Sequence, residues 1–312
     1  MDEVGGLKST ENDRALLSVE ADRVTGFEAQ KAIEPLAVEE PLEIQLGHSV
    51  GQRRKVKSVS VTMRTPGNDF ELAAGFLMTE GVVRDLNDIE SIAYATSHEA
   101  GEDADARSVL PYTNSQNIVR VDLAADVPVS LAHLERNFYV TSSCGICGKA
   151  SLLALQSVCP PRRTNTFTIA ADVLYALPET LRCAQSMFDV TGGLHAAGLF
   201  NAAGELLLLR EDVGRHNAVD KLLGAMFLAD RTPLRECLLL LSGRASFELL
   251  QKAVMGGIPM VASVGAPSSL AVQMAKEFDV TLVGFLRDSR FNLYHGYQHV
   301  SGLSALNGQG LR

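Results

Sequence analysis

Three short apolar runs, at 237–241, 260–264 and 280–285, alternate with two segments of helical periodicity at 247–255 and 268–278. Runs this short are read as strands, and strands that alternate with amphipathic helices impose an α/β architecture. The pattern extends upstream. A helix fits 170–188, a hairpin fits 193–200 and 205–210 around the turn Asn201-Ala202-Ala203-Gly204, and a further helix fits 215–228. Ahead of Pro160-Pro161 the pattern differs: alternating strands at 42–46 and 56–63, a helix at 70–79 capped by Asn68 or Asp69, then strands at 89–94 and 118–123. That ββαββ order predicts a small α+β domain of the β-grasp kind.

The 312 residues are 46% hydrophobic and 21% charged, enough for a sizeable core and two domains. Residues 1–50 hold eleven acidic and four basic side chains, so −7 of the net charge of −9 lies there. Residues 1–35 are polar, acidic and aperiodic, and predict a flexible tail. The acidic balance argues against non-specific nucleic-acid binding. No apolar run approaches the roughly 20 residues of a membrane span. The N-terminus lacks the basic-then-apolar order of a secretory signal, and five cysteines form no disulfide framework. The expected compartment is reducing cytoplasm, with no membrane and no nucleic-acid partner.

Two strand-to-helix turns share a design. Ser242-Gly243-Arg244-Ala245-Ser246 and Gly265-Ala266-Pro267-Ser268-Ser269 each set a glycine and hydroxyls at a helix start, where unpaired N–H groups and the helix dipole attract anions. Arg244 adds a fork-shaped phosphate donor. The plain alternative is that Ser246 and Ser268 only cap helices. A third polar cluster, Glu211-Asp212-Val213-Gly214-Arg215-His216-Asn217, is richer in charge than a cap requires. His216 and Asn217 are expected to project into the same strand-end crevice. His195, after Gly192-Gly193, reads either as a satisfied structural histidine or as part of that site.

Thr141-Ser142-Ser143-Cys144-Gly145-Ile146-Cys147-Gly148-Lys149 carries two thiols at CxxC spacing among glycines. Free N–H groups, two hydroxyls and a lysine could lower a thiol pKa there. A structural zinc needs a second ligand pair, which is absent. A thioredoxin-type motif belongs between a strand and a helix, whereas this pair lies between the two domains. A sulfur relay needs one accessible nucleophilic cysteine and a neighbouring thiol for exchange, which fits. Cys159, Cys183 and Cys237 read as inert small hydrophobes.

Taken with Thr191-Gly192-Gly193-Leu194-His195, Arg210 to Lys221, Ser242-Gly243-Arg244, Gly284-Phe285-Leu286-Arg287 and Asn292-Leu293-Tyr294, this loop resembles the formate dehydrogenase accessory sulfurtransferases, the FdhD family, from about 41 to 297. The resemblance implies sulfur transfer from a cysteine desulfurase, as persulfide, to the molybdenum (or tungsten) bis-pterin guanine dinucleotide cofactor of formate dehydrogenase. Cys144 would bear the persulfide with Cys147 as its catalytic partner. Phe285, Leu286, Arg287, Asp288, Ser289 and Arg290 would bind the cofactor. Ser242, Gly243, Arg244 and His216 are the further cofactor-binding candidates from the turns. It also implies a homodimer and a second domain of the cytidine-deaminase-like α/β three-layer kind, without the deaminases' zinc ligands. The expected layout is a tail over 1–35, the α+β domain over 36–140, a catalytic loop over 141–150 and the α/β domain over 151–312. A non-catalytic chaperone that only binds the cofactor is the alternative.

Overall fold

The computed structural model describes residues 14–51, 53–95, 116–127, 159 and 164–304. The CxxC loop, with Cys144 and Cys147, lies outside them, as does all but the last residue of the acidic, polar stretch 98–116, which the sequence predicts as a surface loop. Among the described residues are six α-helices and several sheets, a mixed α and β architecture. No described helix is long and apolar enough to cross a membrane.

The chain divides into two compact units. One unit takes the described residues up to 127 together with Gln185–Ala196 and Arg210–Thr232; the other takes 164–184, Ala197–Leu209 and everything from Pro233. The first unit therefore recruits two helices, Ser186–Thr191 and Arg215–Leu228, from the second half of the chain.

In the first unit, β3 (Glu40–Val50), β4 (Arg53–Arg64), β5 (Ile89–Tyr94) and β6 (Ile118–Leu123) form a sheet of order β4-β3-β6-β5. Its central pair β3–β6 is parallel and its outer pairs antiparallel. Leu42, Ile44, Leu46, Val119, Val121 and Leu123 are buried, the alternation a one-sided sheet requires. Helix α1 (Asp69–Thr79) packs on α4 (Arg215–Leu228) through Gly75 and Gly224. A Cβ on Gly224 would overlap the Glu71 carbonyl oxygen, and one on Gly75 the Asp220 carbonyl oxygen. Glycine is required there because two backbones touch.

Part of the expected tail is a β-hairpin. Strands β1 (Leu16–Thr25) and β2 (Glu28–Ala37) pair antiparallel around Gly26, whose φ of +63° suits a two-residue turn. Ion pairs Arg23–Glu34 and Lys31 with Glu20 and Asp22 bridge the strands. Leu17, Val24, Phe27 and Ile33 are exposed, so no buried face printed a pattern on the sequence.

The larger sheet has the order β13-β12-β11-β10-β8-β9. Its members are β8 (His195–Phe200), β9 (Leu206–Asp212), β10 (Leu238–Leu241), β11 (Met260–Ser263), β12 (Thr281–Arg287) and β13 (Arg290–His295). Strands β10, β11 and β12 run parallel; β8 and β13 flank them antiparallel. Every residue of β10 and β11 is buried, as parallel strands require. Helices α5 (Phe247–Met255) and α6 (Ser269–Phe278) connect them. The helix expected over 170–188 is two, α2 (Ala171–Ala184) and α3 (Ser186–Thr191). Short strands β7 (Ile169–Ala170) and β14 (Val300–Ser301) pair in parallel.

Candidate functional site

Within the second unit, the turns after β10 and β11 are stitched into one platform. Gly265 N–H donates to the Gly243 carbonyl (3.0 Å), Ala245 N–H to Ala266 (3.2 Å) and Ser268 N–H to Ala245 (2.9 Å). Phe285 N–H then donates to the Gly265 carbonyl (2.9 Å), so three successive strand ends meet. Small residues allow this: a Cβ on Gly265 would lie 3.1 Å from the Arg244 Cγ, and one on Gly284 would lie 2.7 Å from the Pro267 Cδ. The structure thus brings Gly243, Arg244 and Phe285 together, with Ser242 on the same turn. The Arg244 side chain is exposed above it.

The two serines at the helix starts differ. Ser268 Oγ accepts from Ala271 N–H (3.2 Å) and is an ordinary cap. Ser246 occupies the N-cap of α5, yet its Oγ makes no capping bond and is buried without a partner among the described residues. A buried hydroxyl in that state needs a partner. Together with the first-turn N–H groups of α5, it is suited to a phosphate oxygen.

Phe285 has φ of +54°, left-handed and rare for an aromatic residue. A register break follows between Gly284 and Arg287, and Leu286 is fully buried. Asp288 and Ser289, both at φ of +52°, form the two-residue turn into β13. Arg287 and Arg290 face each other across that turn, exposed, with Arg287 Nε 3.9 Å from Asp288 Oδ2. The expected binding segment is therefore a hairpin corner whose strained residue is tied to the Gly243–Gly265 platform. Strain of this kind collects at functional sites.

His216 belongs to the first unit, and most of the polar cluster around it is structural. Asp212, fully buried, does not cap α4; Gly214 holds that position. Asp212 instead accepts from Lys221 Nζ (2.7 Å), Gly214 N–H (2.8 Å), Asn217 Nδ2 (3.0 Å) and Thr65 N–H (3.2 Å). Asn217 also donates to the Met63 carbonyl (2.7 Å) and accepts from Thr62 Oγ1 (3.0 Å), so it is buried structure and does not project into a crevice. Glu211 accepts from Met187 and Phe188 N–H, starting α3.

A second buried ion pair went unanticipated. Arg64, fully buried, donates to both oxygens of Asp69 (2.9 Å each) and to Asn117 Oδ1 (3.2 Å). Asn68 sits at the N-cap of α1 with φ of +58° and makes no side-chain cap, while Asp69 serves the arginine. Opposite charges five apart around Thr65-Pro66-Gly67-Asn68 were the available signal. Tyr94 donates to Asp69 (3.2 Å), and burial beside that carboxylate pushes its phenol up to about 12.

Burial pushes the Cys159 thiol up to about 12 and raises that of Cys237. Cys183 is exposed on α2 with Sγ 3.3 Å from Glu179 Oε1, so it is not the packed hydrophobe expected. No group of three or more His, Cys, Asp or Glu among the described residues could hold a metal ion.

Comparison with known proteins gives these residues a family context. The chain is 52% identical over 276 residues to a sulfur carrier protein FdhD of Mycolicibacterium paratuberculosis, covering 87% of this chain and 95% of that one. It is 50% identical over 277 residues to the sulfur carrier protein FdhD of Streptomyces coelicolor (88% and 92% covered). It is 38% identical over 272 residues to that of Saccharolobus solfataricus (87% and 93%). The fold is similar to a crystal structure from Desulfotalea psychrophila described as a formate dehydrogenase accessory protein, with a TM-score of 0.65 at 23% identity over 92% of this chain and 99% of that one. The chain belongs to the FdhD/NarQ family, whose match spans residues 37–301.

Proposed function

We propose that this chain is a sulfur carrier that takes sulfur from a cysteine desulfurase and delivers it to the molybdenum (or tungsten) bis-pterin guanine dinucleotide cofactor of formate dehydrogenase. The observation that carries this reading is the identity of 52% and 50% with proteins named sulfur carriers, in a chain that holds a glycine-flanked CxxC.

The chemistry follows from the two thiols. The Cys144 thiolate attacks the outer sulfur of the desulfurase persulfide, and the desulfurase cysteine leaves as a thiolate; no net oxidation occurs. The Cys147 thiolate then attacks the inner sulfur of the Cys144 persulfide. A Cys144–Cys147 disulfide forms, hydrosulfide leaves toward the acceptor, and the two thiols supply the two electrons. A cellular thiol reductant resets the pair. The cofactor is the substrate that receives sulfur. The platform of Ser242, Gly243, Arg244 and Gly265, with the Phe285–Arg290 corner, supports phosphate recognition of its dinucleotide. Formate dehydrogenase, the desulfurase and a second copy of this chain are the proposed partners, in the cytoplasm.

The parallel β3–β6 pair at the centre of the first sheet supports a β-grasp-like reading of that domain. The parallel β10–β11–β12 core supports a cytidine-deaminase-like reading of the other.

The test is formate dehydrogenase activation in a host lacking its own accessory protein. Cys144→Ala is expected to abolish activation while guanosine diphosphate binding is retained. Activation by Cys144→Ala would leave the chain a cofactor chaperone with structural cysteines.

A further inference from the structure

We propose that Ser263 is a positioning residue for the phosphate platform: its buried hydroxyl fixes the Gly265 carbonyl that holds Phe285 and, through it, the Phe285–Arg290 corner. The proposal rests on the reading of that platform as the surface that takes the dinucleotide phosphates.

Ser263 ends β11, after Met260, Val261 and Ala262, and is fully buried. An apolar residue would continue the strand without difficulty, whereas a buried hydroxyl must find a partner. It finds two. Ser263 Oγ lies 3.0 Å from the Gly265 carbonyl oxygen and 3.3 Å from the Val283 carbonyl oxygen on β12. The hydroxyl has one proton to donate, so the shorter contact, to Gly265, is its main bond.

Its place in the sheet gives that bond a purpose. The parallel register of β11 and β12 runs from Met260–Thr281 to Ala262–Val283. Ser263 stands at the next position, where the chain turns away into Val264 and Gly265, and its hydroxyl takes over from the ladder in reaching β12. On the other side, Val264 N–H donates to the Leu241 carbonyl at the end of β10 (3.1 Å). The turn is thus fastened to β10 by backbone and to β12 by the Ser263 side chain.

The Gly265 carbonyl accepts twice, from Ser263 Oγ (3.0 Å) and from Phe285 N–H (2.9 Å), which uses both of its lone pairs. Phe285 needs that bond. Its φ of +54° is disfavoured for an L-residue by an amount similar to the net worth of one hydrogen bond, so the Phe285 N–H bond alone roughly balances the strain. The Gly265 backbone sets where the carbonyl points, and glycine restrains its own backbone least. A second donor on the same oxygen removes that freedom, and bonds that share a carbonyl reinforce one another. Between the Gly284–Asn292 and Arg287–Arg290 pairs, Phe285 and Leu286 stand opposite Phe291 alone. This bulge sets the register of the two arginines, and it lasts only while Phe285 stays left-handed.

The experiment makes two measurements on the full chain carrying Ser263→Ala or Ser263→Thr. The first is amide hydrogen exchange by NMR without nucleotide, with Val261 in β11 as the reference. Ser263→Ala is expected to speed exchange at Phe285 by roughly tenfold and to leave Val261 unchanged, whereas a general loss of stability would speed both. Ser263→Thr keeps the hydroxyl and is expected to keep the protection of Phe285. The second is guanosine diphosphate affinity by calorimetry. Ser263→Ala is expected to weaken it by roughly threefold to tenfold, the span of one hydrogen bond. Parent-like affinity in Ser263→Ala, whatever the exchange shows, overturns the role of Ser263 and leaves the platform reading standing. Unchanged exchange at Phe285 in Ser263→Ala overturns that role too. Absence of guanosine diphosphate binding by the parent protein overturns the platform reading itself, and this proposal falls with it.

Discussion

The Lys221 ammonium lies 2.7 Å from the Asp212 carboxylate and 2.8 Å from the Thr65 carbonyl oxygen, with both side chains out of contact with water. This pair ties α4 to the end of β4 and explains why the segment Glu211 to Lys221 is so rich in charge. Most of those charges hold the fold together. Removing one member of a buried pair strands the other. Lys221→Met is expected to destabilise the protein by about 3–5 kcal/mol in urea unfolding. A loss below about 1 kcal/mol would mean that Asp212 is well enough served by its three N–H donors alone.

Gly224→Ala separates packing from propensity. In an exposed helix, glycine to alanine is favourable by about 1 kcal/mol. Here the added methyl would strike the Glu71 carbonyl, so the helices must part. The change is expected to be destabilising, by about 1–3 kcal/mol as for other overpacked contacts. A rise in melting temperature would contradict the close α1–α4 contact.

His195 gives a pH dependence with a defined sign. Its folded pKa lies below the ordinary 6.5, so near neutrality it is uncharged in both states and contributes nothing. As pH falls through 6.5 the unfolded state takes up the proton first, and stability drops toward the lowered folded pKa. In phosphate-free buffer, His195→Gln is expected to flatten the stability profile below pH 6.5, measured by denaturant midpoints. An unchanged slope would mean that the ring is accessible and ordinary.

The platform on the second unit is tested by guanine nucleotide affinity. Loss of one charge-assisted phosphate contact costs about 1.5–3 kcal/mol, or roughly tenfold to a hundredfold in affinity. Arg244→Ala and Arg287→Ala are each expected to weaken guanosine diphosphate binding in calorimetry by at least about tenfold. Unchanged affinity in both would remove the phosphates from this platform.

Clean periodicity made several elements legible at sequence level. Helices at 215–228 and 247–255 and the strands at 89–94 and 118–123 were anticipated to the residue. The β1–β2 hairpin was not, because neither of its faces is buried enough to leave an alternating pattern. The split at Gln185 escaped too, since the new helix start depends on Glu211, some two dozen residues away. At the candidate site, the glycine turns were readable, but their union was not. Phe285 N–H reaching Gly265 is a long-range bond, and an aromatic residue gives no sign of a left-handed backbone. The structural roles of Asp212 and Asn217 are not legible in the sequence because nothing local names Lys221, Thr62, Met63 and Thr65 as their partners.

Sulfur on Cys144 is tested most directly by mass spectrometry of the peptide spanning 141–149. The protein is incubated with a cysteine desulfurase and cysteine, and thiols are then blocked. Because Cys183 is exposed, the experiment uses a Cys183→Ser background to exclude sulfur carried there. The sulfur-carrier reading predicts one added sulfur on that peptide, present in Cys147→Ala and absent in Cys144→Ala. No added sulfur in the parent protein, or equal loading of Cys144→Ala, would contradict it.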